Sequence, residues 1–477
     1  MPTGRKWVPV EDVVSPENLS DGELAALIEV WRDQSTALSE SDAVETFGER
    51  LNREWAIETG IIERVYSIDR GTTQTLIEKG IEASLILREG SGRDPEEIAA
   101  ILQDHLDALD GMFAFVKGER EISVGYIKEL HSALLRHVRT HTVKDSLGNF
   151  FDVPLQKGAY KAQPNSPTRS DGTVHEYCPP EHVASEMDRL VEIHTKHVQA
   201  KLPAEVQAAW LHHAFTQIHP FEDGNGRVAR TLASLVFVKA GAFPLVITRD
   251  DHVRYIEALE KADEGNIRPL VEMFVSAERR VSIRALQALP QPGTRTITNA
   301  PKTPDEAIAE IRDFLVLRGD ALPKGWENAD LLSSVILTDA HRRLARIDDK
   351  LKAELGQVSS NFVFSLTSAE GQGAKEASEA ARSLGYELLP GATFRARYLH
   401  LEPGQSRIEF VLQRLGPTYK GIVAGLLLLV TPDGSAATTN DIFQINYMDH
   451  DVPLRPRFAK WLEAGLTRAL EMWRAQI

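Results

Sequence analysis

The stretch His219-Pro-Phe-Glu-Asp-Gly-Asn-Gly-Arg-Val-Ala-Arg230 decides how this chain is interpreted. Apolar residues recur at helical spacing on both sides of it, which predicts helices over Pro203–Gln217 and Gly226–Ala240. The polar residues between them then lie on a short loop held by two buried helices. Because such a loop presents reactive groups rigidly, this stretch is the candidate functional site.

The side chains of this stretch have complementary chemistry. Gly224-Asn225-Gly226 is a turn that opens a helix, so its backbone N–H groups can converge on an anion. Arg227 and Arg230 share one helical face and suit contact with phosphate oxygens. Asp223 is an oxygen ligand suited to Mg²⁺, and His219 can accept a proton from a nucleophile. Together they predict metal-assisted transfer of a phosphorus group.

The same stretch resembles the Fic motif, His-x-Phe-x-Asp/Glu-Gly-Asn-Gly-Arg-x-x-Arg, and every fixed position is present. The resemblance implies a protein adenylyltransferase, which transfers AMP from Mg-ATP to a Ser, Thr or Tyr hydroxyl of a target protein. It implies that His219 is the general base and that Asp223 holds Mg²⁺. The amides of Gly224, Asn225 and Gly226 would form the anion hole, and Arg227 and Arg230 would bind the phosphates.

A segment upstream of the motif resembles the β-hairpin flap of Fic proteins, which aligns the target by strand pairing. The segment runs from Lys157 to Pro180, with strands expected at 159–162 and 174–178 around a turn at 170–173. With it, the resemblance covers roughly residues 105–275. It implies that the target docks on Lys157, Gly158, Ala159 and Tyr160.

Many Fic proteins also carry an inhibitory helix with the pattern Ser/Thr-x-x-x-Glu-Gly/Asn, whose glutamate pairs with the second motif arginine. Thr59-Gly-Ile-Ile-Glu63-Arg64 is similar, although its last position is Arg rather than Gly or Asn. Ser41-Asp-Ala-Val-Glu45-Thr46 departs from the pattern in the same way. Glu63 is preferred because an apolar stripe that begins at Trp55 runs along its helix. The resemblance therefore implies autoinhibition through Glu63, with Glu45 or neither glutamate as the alternatives.

The whole chain is predicted to be mainly α-helical, with a separate α+β domain at its C-terminal end. Residues 1–104 are expected to form a helical region with the inhibitory helix near 55–68, and residues 105–288 a Fic-type catalytic core. Residues 289–304 are rich in Pro and Thr and predict a linker. Residues 305–477 then predict the α+β domain, for which target recognition, dimerisation and ligand sensing all stay open.

Composition favours a soluble, cytoplasmic protein. Cys178 is the only cysteine, so no intrachain disulfide can form and a reducing compartment is expected. The most apolar run, Ile422–Val430, is shorter than the roughly 20 residues of a membrane-spanning helix and predicts a buried strand. The net charge of −15 argues against nucleic acid and anionic membranes as partners. The expected partners are ATP and an unidentified target protein, and a homodimer is left open.

Other functions remain open at the level of sequence. A Fic-type enzyme can use another nucleotide or phospho-group donor, or remove AMP. His212, His219 and Asp223 could instead ligate the metal of a phosphohydrolase, although that interpretation leaves both arginines unexplained. A nucleotide-binding interaction protein with a dormant site is the third alternative. His212 and His213 are themselves expected to be packing or solvent-facing residues, because adjacent helix positions diverge by about 100°.

Overall fold

The computed structural model describes residues 5–20, 22–36, 42–86, 93–144, 149–167, 173–289, 325–416 and 419–476. They form two compact units, one of Met1–Leu24 with Glu45–Val281 and one of Ala25–Val44 with Ser282–Ile477. Apart from Leu289, the linker predicted at 289–304 lies outside the described residues.

Helices dominate the described chain up to residue 289, which confirms the mainly α class. They are α1 Glu23–Thr36, α2 Asp42–Ile62, α3 Arg70–Lys79, α4 Pro95–Lys117, α5 Val124–Leu134, α6 Val183–Gln199, α7 Ala204–Ile218, α8 Asn225–Lys239, α9 His252–Asp263 and α10 Arg268–Ala288. Short 3₁₀ turns lie at Pro16–Asn18, Ala83–Leu85, Pro180–His182 and Arg249–Asp251. None of the described helices is long and apolar enough to cross a lipid bilayer.

The two helices that flank the motif lie deep in the first unit. Along α7 and α8 most side chains are buried, including Phe215 at the end of α7 and Leu232 and Phe237 along α8. Helices that are apolar on nearly every face are interior helices, and each large apolar side chain buried contributes about 1.5–3 kcal/mol. The loop between them is therefore anchored at both ends in the core.

The β-hairpin of the first unit lies upstream of the predicted one. Strands β1 Thr140–Lys144 and β2 Phe150–Pro154 pair antiparallel, with Thr140 opposite Pro154. The strands predicted at 159–162 and 174–178 were wrong, because these residues are irregular apart from a single bridge. The physical reason is that Pro164 and Pro167 have no N–H group for a ladder, and the N–H of Lys161 donates instead to Pro220 O at 2.8 Å.

The second unit contains an antiparallel sheet with helices packed against it, as the predicted α+β domain requires. Its elements are α11 Glu327–Glu354, β3 Val363–Gln372, α12 Lys375–Ser383, β4 Thr393–Glu402, β5 Ser406–Arg414, β6 Ile422–Thr431, β7 Gly434–Ala437, β8 Phe443–Asn446 and α13 Asp451–Arg474. The strand order is β3-β4-β5-β6-β7, and β8 also pairs with β6. Strand β6 is buried on both faces, which confirms the prediction for its apolar run.

Candidate active site

The motif loop is fixed by its own backbone and by one asparagine. Helix α7 ends at His219, which caps it in the left-handed conformation with φ 50° and ψ 58°. The N–H of Phe221 donates to Asn225 Oδ1 at 3.0 Å, and Asn225 Nδ2 donates back to Phe221 O at 2.8 Å. Gly224 opens α8 at φ 80°, where a Cβ atom would lie 2.7 Å from the side chain of Leu135. This position therefore requires glycine for its conformation and for its space.

His219 is held as a neutral imidazole. Its Nδ1 lies 3.3 Å from Thr216 O, and the ring of Tyr177 stacks on it at 3.8 Å and 9°. Burial, and after it the positive charge of Lys161, together lower the pKa of His219 to about 3. If Nδ1–H donates to the Thr216 carbonyl, the proton-accepting nitrogen is Nε2.

Asp223 and Arg227 form an ion pair at the start of α8. Arg227 Nη2 donates to Asp223 Oδ2 at 3.0 Å, while Asp223 Oδ1 accepts from the N–H of Gly224 at 2.7 Å. The guanidinium is only 1% exposed and the carboxylate is 40% exposed. Arg227 Nε and Nη1 have no hydrogen-bond partner among the described residues. A buried N–H group without a partner costs about 1–3 kcal/mol, so this arginine is suited to receive an anion.

Arg230 is paired with the glutamate that the sequence singled out. Its Nη1 donates to Glu63 Oε1 at 2.7 Å and its Nη2 to Thr59 O at 3.2 Å. Burial alone would lower the pKa of Arg230, but the negative charge of Glu63 raises it, so the guanidinium stays charged at neutral pH. The Glu63 carboxylate also lies directly against Gly226, where a Cβ atom would collide with it. A carboxylate thus lies at the N-terminal end of α8, beside the Gly-Asn-Gly turn.

The conformation at the end of α2 explains why the inhibitory pattern has Gly or Asn at the position that Arg64 occupies here. The N–H of Val65 donates to Gly60 O at 3.0 Å and that of Arg64 to Ile61 O at 2.9 Å. These two bonds form a Schellman motif, which needs a left-handed residue after the helix end, usually Gly and sometimes Asn. Arg64 adopts that conformation with φ 54°. The helix therefore ends at Ile62 rather than continuing through the predicted 55–68 range, and Glu63 is its C-cap.

Glu45 lies on the same helix but far from the motif. It is exposed near the start of α2, 18 residues before Glu63. At a rise of 1.5 Å per residue the two glutamates are about 27 Å apart along the helix axis. The structure therefore brings Glu63, and not Glu45, to Arg230.

A second ion pair holds the same end of α2 to the loop before α9. The carboxylate of Glu58 accepts from Arg249 Nη2 at 2.7 Å and from the Arg249 N–H at 2.8 Å. The same guanidinium donates to Ile68 O at 2.7 Å and to Thr73 Oγ1 at 2.8 Å. Because Glu58 lies one residue before Thr59, this cluster fixes the turn of helix that carries Glu63.

His131 supports the site, and sequence reasoning missed it. Burial lowers the pKa of His131 to about 4, so the ring is neutral. Its Nδ1 accepts from the N–H of Gly158 at 2.8 Å, which leaves Nε2–H to donate to Asp223 O at 3.0 Å. The ring also stacks on Phe221 at 3.8 Å. No motif in the sequence marks His131, because its partners are backbone groups distant along the chain.

The four residues predicted as the docking segment lie beside α5. Lys157 Nζ donates to Arg136 O, and Gly158 bonds to His131. The ring of Tyr160 lies 3.9 Å from Lys128 Nζ, and Ala159 is exposed.

His212 and His213 are engaged away from the motif. His212 is fully buried with Nε2 2.7 Å from the hydroxyl of Tyr255, and His213 Nε2 lies 3.0 Å from Asp263 Oδ1. No group of three or more metal-ligating side chains occurs among the described residues. His212 is therefore not poised to ligate a metal with His219 and Asp223.

The structure thus brings two buried arginines, a glycine-rich turn and a neutral histidine together within residues 219–230. Residues 121–237 match the sequence profile of the Fic/DOC family. The chain therefore contains a Fic domain, which includes the whole motif.

Curated relatives bear the name protein adenylyltransferase Fic. The one from Nematostella vectensis is 27% identical over 191 residues, which cover 39% of this chain and 40% of the relative. The one from Drosophila persimilis is 29% identical over 214 residues, covering 43% and 38%. This chain thus spans about two-fifths of the length of these relatives.

Among solved structures, a Fic domain containing signaling protein from Bacteroides thetaiotaomicron is similar to this chain. Its identity is 23% and its TM-score 0.45, with 56% of this chain and 96% of that chain covered.

Proposed function

We propose that this protein is an adenylyltransferase that transfers AMP from ATP to a hydroxyl side chain of a target protein. The observation that carries the proposal is the pair of buried guanidinium groups, Arg227 and Arg230, at the N-terminal end of α8. Arg227 Nε and Nη1 and Arg230 Nε lack partners among the described residues. Phosphate oxygens would supply those partners, and the helix dipole would add to the attraction.

His219 then acts as the general base. The target hydroxyl gives its proton to His219 Nε2 as its oxygen bonds to the α-phosphorus of ATP. The bond from that phosphorus to the bridging oxygen breaks, and pyrophosphate leaves. The low pKa of His219 keeps the ring unprotonated at neutral pH.

Asp223 is the residue that would hold Mg²⁺. Its carboxylate is partly exposed, and each oxygen has one described donor, so lone pairs remain for a cation. A single carboxylate fits Mg²⁺, which in phosphate sites keeps waters and binds substrate oxygens as its other ligands. When bound, the ion would neutralise charge on the phosphates.

Glu63 would restrain this activity. Its carboxylate occupies Arg230 Nη1 and lies against Gly226, so it competes with the phosphates of ATP for the same guanidinium. Removal of the carboxylate should free Arg230 and raise the rate of transfer.

The test is labelling with α-labelled ATP of four proteins: the parent chain, Glu63→Gly, His219→Ala and the double variant. Glu63→Gly should label itself faster than the parent, and His219→Ala should not label in either background. Glu45→Gly is the matched control, since Glu45 is an exposed glutamate on the same helix, and it should behave as the parent. Labelling that survives His219→Ala would overturn the mechanism, and equal labelling of Glu63→Gly and parent would overturn the inhibitory role.

The remaining assignments rest on the sequence and on the relatives. The relatives' name supports ATP and a protein target as substrates, and a panel of α-labelled nucleotides on Glu63→Gly tests the donor. The target would dock along Lys157, Gly158, Ala159 and Tyr160. Residues 105–288 would form the catalytic core and the C-terminal unit an interaction module. The cytoplasmic location and the homodimer stay predictions.

A further inference from the structure

The backbone around His219 is held from outside the motif by one short segment. Three carbonyl groups that flank His219 accept hydrogen bonds from residues 161–165. The Lys161 N–H donates to Pro220 O at 2.8 Å, Lys161 Nζ to Ile218 O at 3.4 Å and Asn165 Nδ2 to Phe221 O at 2.8 Å. Lys161 Nζ also donates to Asn165 Oδ1 at 2.8 Å, so the two side chains brace each other.

His219 needs such support because its conformation is unfavourable in isolation. A left-handed residue other than glycine costs about 1–2 kcal/mol, and His219 has φ 50°. It also precedes Pro220, which has no N–H group to tie the turn together. Within the motif, Asn225 already fixes the backbone of Phe221. Residues 161–165 fix the backbone from outside the motif.

The ammonium group of Lys161 is buried, and a charged group in such a position costs free energy that a purely structural role would not explain. Lys161 is 3% exposed, and among the described residues its ammonium group donates to the neutral oxygens of Asn165 and Ile218. Burial lowers the pKa of Lys161 to about 8, so the group is charged at pH 7. Desolvating a charge without a carboxylate partner is expensive, and here the charge lies beside His219.

We propose that Lys161 and Asn165 are positioning residues, which clamp the carbonyls around His219 so that its Nε2 faces the target hydroxyl. This inference rests on the proposed transferase function. Loss of the clamp should lower kcat rather than raise KM for ATP, since the clamp touches neither arginine of the phosphate site. A misplacement of about 1 Å at a reacting group can cost about a hundredfold in rate, so loss of the clamp has a measurable effect.

The first test measures transfer in the Glu63→Gly background of the full chain. Lys161→Met and Asn165→Ala should each lower kcat at least about tenfold and leave KM for ATP within about twofold. Lys161→Arg, which keeps the charge, should recover part of the loss. Lys196→Met is the matched control, because Lys196 is an exposed lysine on α6, and it should behave as the parent. A kcat within twofold of the parent in both clamp variants would overturn the proposal.

The second test does not need activity. Selective ¹⁵N labelling of histidine, with the His219 signals assigned from a His219→Ala spectrum, reports the ring tautomer at pH 7.5. The parent should show one tautomer with the proton on Nδ1, and the two clamp variants a mixture. An unchanged His219 spectrum in Asn165→Ala and Lys161→Met would refute the clamp. If the parent shows one tautomer and both clamp variants a mixture, but no Glu63→Gly protein transfers AMP, the transferase proposal fails and the clamp stands.

Discussion

Replacing Arg64 with glycine should stabilise the end of α2 that carries Glu63. Arg64 is exposed and adopts φ 54°, the conformation in which a side chain is unfavourable by about 1 kcal/mol relative to glycine. Arg64→Gly should therefore raise the free energy of unfolding by about 1 kcal/mol. If Glu63 leaves Arg230 by opening of this helix end, the same 1 kcal/mol lowers the open population about fivefold.

Two measurements check this reasoning. Urea unfolding gives the stability, and the initial rate of self-labelling with α-labelled ATP gives the open population. Arg64→Ala is the control, since it removes the same exposed side chain but keeps the Cβ atom. The free energy of unfolding should not rise in this variant, and the rate of self-labelling should not fall. In the Glu63→Gly background, Arg64→Gly should not change labelling. A fivefold drop that persists without Glu63, or a stabilised protein that labels at the parent rate, would refute the link between the helix cap and inhibition.

Three further changes have expected outcomes. Arg249→Met removes the guanidinium partner of the buried Glu58 carboxylate and leaves it the backbone N–H of residue 249, so it should lower the free energy of unfolding by about 3 kcal/mol and speed labelling. Adding Glu58→Gln should restore part of the stability in urea. Gly60→Ala places a methyl group in collision with the ring of Tyr66. It should lower the free energy of unfolding by about 1–3 kcal/mol, although alanine has the better helix propensity, and a higher Tm would contradict this packing. Stability should fall as the pH drops below 6.5, because the unfolded chain takes up protons that the buried neutral histidines of the native state, with their lowered pKa values, do not. Each contributes a slope of up to about 1.4 kcal/mol per pH unit, so urea midpoints at pH 7.0 and 5.5 should differ and equal midpoints would contradict it. These histidines are His105, His131, His194, His212 and His213.

The parts of the fold with a strong local pattern could be predicted from the sequence. The helices around the motif have continuous apolar faces, and β6 is an unbroken apolar run. Because apolar residues are buried on folding, these patterns predict both the helices and the strand. Strand β3 gives no comparable signal in the sequence, because it is the edge of the sheet and most of its side chains are exposed or half-buried. Helix α13 begins at Asp451 and accommodates Pro456 in its interior, where a proline usually predicts a helix boundary.

The site was predictable where its residues follow a local sequence pattern, as in the motif and in the Thr59–Arg64 pattern that singled out Glu63. The motif from His219 to Arg230 contains the proposed base, the turn and both arginines within twelve positions. Lys161 and His131 contribute through bonds to backbone carbonyls, and carbonyl positions leave no trace in residue identity. The hairpin was misplaced for a related reason. A turn signal at 170–173 was visible in the sequence, but the acceptor that Lys161 actually uses, Pro220 O, was not.

The ion pair between Glu63 and Arg230 joins two residues 167 positions apart within a single compact unit. Because both partners belong to one chain, the carboxylate faces the guanidinium at a fixed local concentration that dilution of the protein does not alter. A carboxylate or phosphate arriving from solution must exceed that local concentration, or bind with more contacts, to displace it. If Glu63 restrains the enzyme as proposed, the balance between the paired and open states should depend on the nucleotide concentration and on the helix end, and not on the protein concentration.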